Sequence, residues 1–410
     1  MYTIFNNSRT RPKSNDTEIV KIEFYQQEVD EVEIWNQIIE NFEEKYPNIK
    51  VVQVTLPQEE SETVLNTRIL NGNSPDIYNE WYGQSFFDQV NLGNAKNMTG
   101  SPILSYIEED ALEQTKYNGN YYMIPISRNF EGVYYNVEIF KNNGIEIPKT
   151  LNEFWDVCEK LKTAGITPIV ASDKEIYDLG HFTQNLIGLY LSNYKEDFRN
   201  VFEGRTKGSE IVGISDLADI IIKRTTYVQK GSLGTDTLSS ISEFVNGNAA
   251  MMLGGSWIMP TINNQSENFE YAIFPFPAKN ENDTQVMSGV NYAFVLSANS
   301  SSEKAKAAEL FVEYVVTDGS KCYFGKTSAP SCIKGISSDT SKYQLIQDLI
   351  NDNKSFPWPY SRRWTDETYE YYAIAIQNLV SSQDKDKFYN EFEKAMTTVG
   401  KPRTYIDELK

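Results

Sequence analysis

Histidine, cysteine and long apolar runs are what this chain of 410 residues has least of. A single histidine, His181, leaves no material for a His-rich metal site, and no cysteine pairing fits zinc spacing. Three cysteines are too few for a disulfide scaffold. Cys158 falls on the apolar face of a helical pattern and reads as a small core residue. Cys322 and Cys332 flank Gly325 and Pro330, which leaves a disulfide across that loop open. No apolar run approaches the ~18 residues of a membrane-spanning helix. Basic residues are outnumbered, 38 against 57 acids, for a net charge of −19. That field repels phosphate backbones and anionic lipid, so nucleic acid is excluded as a partner and a neutral or cationic ligand suits it. Solvation of a large surface explains the acidity equally well. No phosphate-binding loop, nucleophile elbow or metal motif is found, and neither a metal nor another cofactor is expected.

Aromatic rings, by contrast, are abundant: 26 Tyr, 21 Phe and 6 Trp. They belong either to a Tyr-rich core and surface or to a site lined with flat rings. The length is too great for one hydrophobic core, so two lobes are expected. Residues 1–18 are polar and read as a flexible leader without an export signal, which leaves the compartment open.

Along the chain, Ile19 to Tyr25 alternates as a strand does. Ile34, Trp35, Ile38, Ile39 and Phe42 follow at helical spacing, Tyr46-Pro47 stops the helix, and Ile49 to Leu56 is again a strand. Strand–helix–strand with short links predicts a right-handed βαβ unit on a largely parallel sheet. Thr150-Leu-Asn-Glu153 and Ser300-Ser-Ser-Glu303 are capping boxes that open helices. The segment from Thr365 onward reads as helical and rich in aromatics.

The longest informative string is YYNVEIFKNNGIEIPKTLNEFWDVCEKLKTAGITPI, Tyr134 to Ile169. It resembles the domain-crossing segment of the extracellular solute-binding protein family 1, the sugar receptors of ABC importers. FEEKYPNIKV (Phe42 to Val51), LNGNSPDIYNEW (Leu70 to Trp81) and FVNGNAAMMLGGSW (Phe244 to Trp257) carry the same likeness, in the same order. SGVNYAFVLS (Ser288 to Ser297) and RRWTDETYEYY (Arg363 to Tyr372) resemble the raffinose and multiple-sugar branch. The resemblance implies an α/β, two-lobed, periplasmic-binding-protein-like fold. Each lobe is then a largely parallel sheet flanked by helices, with the ligand cleft between the lobes. Residues 19–131 and 276–330 are expected in the N-lobe, 132–275 and 331–410 in the C-lobe. It implies a monomer outside the cytoplasm, lipid-anchored to the outer face of the membrane. Its partners would be a neutral oligosaccharide of α-galactoside or α-glucoside type and ABC permease subunits.

A sugar offers apolar C–H faces and a rim of hydroxyls, so its site needs aromatic faces beside amides, carboxylates or guanidinium groups. Trp257, just after Gly254-Gly255-Ser256, is the leading platform; otherwise it is a core tryptophan after a buried strand. Arg363 and Trp364 follow Phe356-Pro-Trp358-Pro-Tyr360, which prolines mark as an exposed loop. Gln27, Asn79, Trp81 and Asn129 are carried over by position in the resemblance. So is Asn291, where the resembling branch has an Asp. Tyr177 stands where that branch has a Trp, and His181 shares its segment, a loop running into a helix. His181 has no nucleophile motif beside it and reads as a hydrogen-bonding or capping residue.

Two other classes stay open. A glycosidase needs two carboxyls about 5–9.5 Å apart, and 57 acids offer many pairs, though none stands out. A surface lectin without a transport role would share the site chemistry. Binding without catalysis is the expectation.

Overall fold

The computed structural model describes residues 19–56, 58–266, 268–327, 329–359 and 366–398. β1 (Val20–Gln26) is followed by the helix Val32–Lys45 and by β2 (Ile49–Thr55). Trp35, Ile38, Ile39 and Phe42, three and four apart, form the buried stripe of that helix. β2 runs parallel to β1 in register from Val20 with Ile49 to Gln26 with Thr55, as a right-handed βαβ unit requires. β3 (Ile77–Glu80) pairs with the other edge of β1. A small hairpin follows, β4 (Lys116–Tyr117) and β5 (Asn120–Tyr121). Then come β6 (Met123–Pro125), β7 (Arg128–Asn136), β8 (Thr167–Val170), β9 (Ala249–Gly255), β10 (Tyr271–Phe274), β11 (Val286–Val290), β12 (Ala293–Leu296) and β13 (Ser355–Phe356).

Apart from the β4–β5 hairpin, these strands build two sheets, one per lobe. The first has the order β2-β1-β3-β12-β6; the second has β13-β11-β7-β9-β8, with β10 also paired to β7. Phe24, Trp35, Phe42, Phe294 and Phe311 pack beneath the first sheet. Phe154, Ile169, Phe182, Met251 and Phe392 pack against the second. The chain passes from the first sheet to the second between Pro125 and Arg128, and back between Val290 and Ala293. Pairs formed within βαβ units, β1 with β2 and β8 with β9, are parallel. Strands next to the passages are antiparallel: β12 to β3 and β6, β7 to β9, β10 and β11. β13, which enters the second sheet after β12 of the first, lies parallel to β11.

Local chemistry shifts several expected details. Thr150 caps the helix Leu151–Thr163 by accepting from Glu153 N at 3.3 Å, but the Glu153 carboxylate takes its hydrogen bond from Lys149 N at 2.8 Å rather than from Thr150. Ser301, not Ser300, caps the helix Ser302–Val316, because the Ser300 hydroxyl donates to Asp76 at 2.6 Å. Tyr177 and His181 lie inside the helix Ile176–Tyr190 rather than on a loop before it. All three cysteines are free thiols, so the Cys322–Cys332 disulfide is not formed; Cys322 sits on the helix Ser320–Thr327 and Cys332 is buried where its backbone bonds Ile126 and Glu108. The expected aromatic C-terminal helices are Asp366–Ser382 and Lys385–Thr398, which pack together and, through the first, on Ile176–Tyr190.

Arg224, at the end of the helix Ile214–Arg224, donates to Asp173 at 2.6 Å, and both side chains are buried. No helix among the described residues is long and apolar enough to cross a membrane.

Candidate functional site

The end of β9 sets the first wall of the site. Gly255 lies opposite Glu131 of β7, and the chain then turns through Ser256–Ile258. The Trp257 indole folds back over Gly255, filling the space a Cβ would need there. Tyr177 and His181, four residues apart, share a face of the helix Ile176–Tyr190. The His181 ring lies 5.1 Å from Trp257, 6.0 Å from Trp358 and 6.3 Å from Tyr369. Trp257 and Trp358 are 6.0 Å apart, and Tyr177 stacks on Tyr369 at 5.5 Å and 24°. Trp358 covers Gly289 of β11, where a Cβ would come within 2.6 Å of the indole. Trp257 keeps 38% and Tyr177 49% of their surface open. A core aromatic would be closed over, so these rings form an exposed platform backed by packed ones.

Polar groups fill the space between this wall and the first lobe. Ser256 Oγ accepts from Phe130 N at 3.2 Å and donates to Asn129 Oδ1 at 2.9 Å. Asn129 Nδ2 donates to Asn291 Oδ1 at 2.9 Å. Asn291 stands in the link between β11 and β12, its backbone N–H held by Ser127 O at 3.0 Å. From there a small open recess continues, lined among others by Asn79, Glu28, Glu31 and Tyr292. Gln27, just beyond β1, donates to Asn79 O at 3.1 Å. Its Oε1 is buried and has no partner among the described residues. Trp81 packs against Tyr292 at 4.1 Å and 32°. Tyr323 donates to Glu31 at 2.9 Å, and Trp35 donates to the same carboxylate at 3.1 Å.

Glu131 is 2% exposed on the face of β7 that carries Asn129. Burial, with the Asp178 charge second, pushes its carboxyl well above the usual range. Asp178 is also raised, chiefly by burial, although Ser172 and Thr237 donate to it. Among the described residues no cluster of three or more His, Cys, Asp and Glu side chains is arranged to hold a metal ion. What the site offers is ring faces, oriented amides and hydroxyls, the groups that a polyhydroxylated ring engages.

The sequence-predicted residues fall into connected groups. Tyr177, His181 and Trp257 are in the aromatic wall; Asn129 and Asn291 form one hydrogen-bonded pair; Gln27 and Asn79 form another; Trp81 stacks beside Asn291 through Tyr292. Asn129 belongs to the second sheet, not to the first lobe with Asn79 as expected, because the chain has already passed over before Arg128. Arg363 and Trp364 lie outside the described residues. Trp358, Ser256, Tyr292, Tyr369 and Glu131 escaped the sequence reading. Prolines around Trp358 suggested an exposed loop, but Phe356 pairs with Met287 as a short edge strand and seats Trp358 against Gly289. The Ser in Gly-Gly-Ser-Trp was the one readable signal for Ser256.

Comparison with known proteins follows the same lines. The family model of the bacterial extracellular solute-binding proteins matches residues 26–321. The chain is 27% identical to the multiple sugar-binding protein of Streptococcus mutans over 387 residues, 93% of this chain and 90% of that protein. Its fold is similar to the apo form of RafE from Streptococcus pneumoniae, with a TM-score of 0.83 and 22% identity over 95% of this chain and all of the other, 100%. It is similar to a RafE complex with raffinose at a TM-score of 0.80, 23% identity, 93% of this chain and 99% of that one.

Proposed function

The chain belongs to the bacterial extracellular solute-binding protein family, and from that premise we propose that it captures a neutral oligosaccharide between its two lobes and delivers it to the permease of an ABC transporter. The observation that carries this is the exposed Trp257 and Tyr177 surface, backed by packed rings and linked through Ser256 to the Asn129–Asn291 amides. Sugars of α-galactoside or α-glucoside type fit best, in keeping with a relative named for multiple sugars and a fold neighbour holding raffinose. The net charge of −19 suits an uncharged ligand.

The lobes bend at the strand passages, Pro125 to Arg128 and Val290 to Ala293. The working protein is a monomer outside the cytoplasm, held by lipid at the outer face of the membrane. Gln27, Asn79, Trp81, Tyr177, His181, Trp257 and Asn291, with Arg363 and Trp364, are its ligand-facing residues. No turnover is expected. Of the raised carboxyls Glu131 and Asp178, the first lies buried and the second is tied to Ser172 and Thr237.

A calorimetric screen of α-galactosides, α-glucosides and β-linked oligosaccharides tests this reading, with the sugar recovered afterwards by chromatography. One-to-one binding of at least one α-linked sugar, recovered intact, is expected. Shorter sugars released in proportion to protein would assign an enzyme instead.

A further inference from the structure

Asn129 and Asn291 meet through their side-chain amides, and the shape of an amide does not say which end is oxygen. The surrounding bonds do. Phe130 N–H is a donor without ambiguity, and it points at Ser256 Oγ at 3.2 Å. Ser256 is 4% exposed, so its own proton needs an acceptor inside the protein. The group in reach is Asn129 Oδ1, at 2.9 Å. With its oxygen so engaged, Asn129 turns its NH2 to Asn291, which must answer with Oδ1 at 2.9 Å. Reversing the sequence would strand the Ser256 hydroxyl proton, which has no other acceptor among the described residues. The Asn291 backbone is pinned as well, N–H to Ser127 O at 3.0 Å. Its remaining polar group is the NH2, and the residue lines the recess that Glu28, Asn79 and Tyr292 share beside the strand passages.

We propose that Asn129 is a positioning residue rather than a ligand contact: with Ser256 it locks the Asn291 amide so that its N–H donors face the recess and read an acceptor oxygen of the sugar. The inference rests on the sugar-binding reading only for the identity of what is read. The polarity belongs to the protein itself. Position 291 then selects for an oxygen that accepts, such as a ring or glycosidic oxygen or a hydroxyl lone pair, and is indifferent to whether that oxygen carries a proton.

Side-chain amide NMR on the full chain tests it, with the two NH2 pairs assigned from Asn129→Asp and Asn291→Asp. In the free protein the Asn129 pair should include a proton protected from exchange, and the Asn291 pair should exchange freely. Raffinose, used as the probe, should shift the Asn291 pair. Asn129→Asp presents a carboxylate to residue 291, so the Asn291 amide should turn, its NH2 should become protected, and raffinose affinity should fall about ten-fold. Among singly substituted raffinose analogues, the hydroxyl read by Asn291 should tolerate fluorine, which still accepts, and lose about ten-fold on removal; in Asn291→Asp both changes should cost about ten-fold. A protected Asn291 pair in the unmutated chain, or an Asn291 pair that ignores Asn129→Asp, would overturn the proposal. If no oligosaccharide gives heat in calorimetry, the sugar-binding reading fails, and the exchange pattern of the free protein still decides the polarity.

Discussion

The indole of Trp257 lies over Gly255, in the space where any side chain at 255 would stand. The glycine is therefore the seat of the platform, and the exposed 38% of the ring is the part left for a ligand. The same device recurs on the far side of β7, with Trp358 over Gly289. Two glycines on neighbouring strands of β7 thus let two tryptophans lie against one sheet face.

Trp257→Ala should weaken sugar binding by roughly 1–3 kcal/mol, the scale of one lost aromatic contact. Because the ring is partly open, the melting temperature should change little. Calorimetry and thermal unfolding on the same variant check this. Unchanged affinity with a sharply lowered melting temperature would assign Trp257 to the core.

Stability should fall with rising pH through Glu131. Its folded carboxyl is raised well above the ordinary 4.5 by burial and then by Asp178, so over that window the folded state holds a proton that the unfolded state has released. The unfolded chain binds fewer protons there, and the stability change is negative, at most about 1.4 kcal/mol per pH unit for one site. Above the folded pKa this contribution levels off. Glu131→Gln cannot ionise, so its melting temperature should decline less than that of the parent between about pH 5 and 8. Parallel curves would contradict the assignment.

Removing one partner of the Arg224–Asp173 pair should be costly. Both side chains are buried, 5% and 1% exposed, at 2.6 Å. Arg224→Met leaves the Asp173 carboxylate without its cation, which should cost about 3–5 kcal/mol in denaturant unfolding. Adding Asp173→Leu should restore most of that loss. A single variant as stable as the parent would mean that the pair is neutral in effect.

The first lobe was legible because its signals are local. Trp35, Ile38, Ile39 and Phe42 state a helical stripe within eight residues, and Tyr46-Pro47 states its end. Trp257 was legible for a similar reason, since Gly-Gly-Ser before it announces close approach. The role of Asn129 was not, because its partners lie 127 and 162 positions away and only the folded sheet brings them together. Trp358 was hidden because it does lie in the irregular segment its prolines mark, and only the pairing of the two-residue edge strand β13 just before it brings the ring onto Gly289. The mixed strand directions rest on pairings between distant strands, such as β3 with β12 and β7 with β11, which no single segment encodes.

Small-angle scattering with and without saturating sugar tests capture between the lobes most directly. Ligand shifts the protein toward closure only if the closed state binds it better, and the site takes groups from both sheets: Asn79 from β3 in the first, Trp257 after β9 in the second. A smaller radius of gyration in the bound state is the expected result. An identical radius at saturation, with tight binding established separately, would place the site within one lobe and contradict capture by closure.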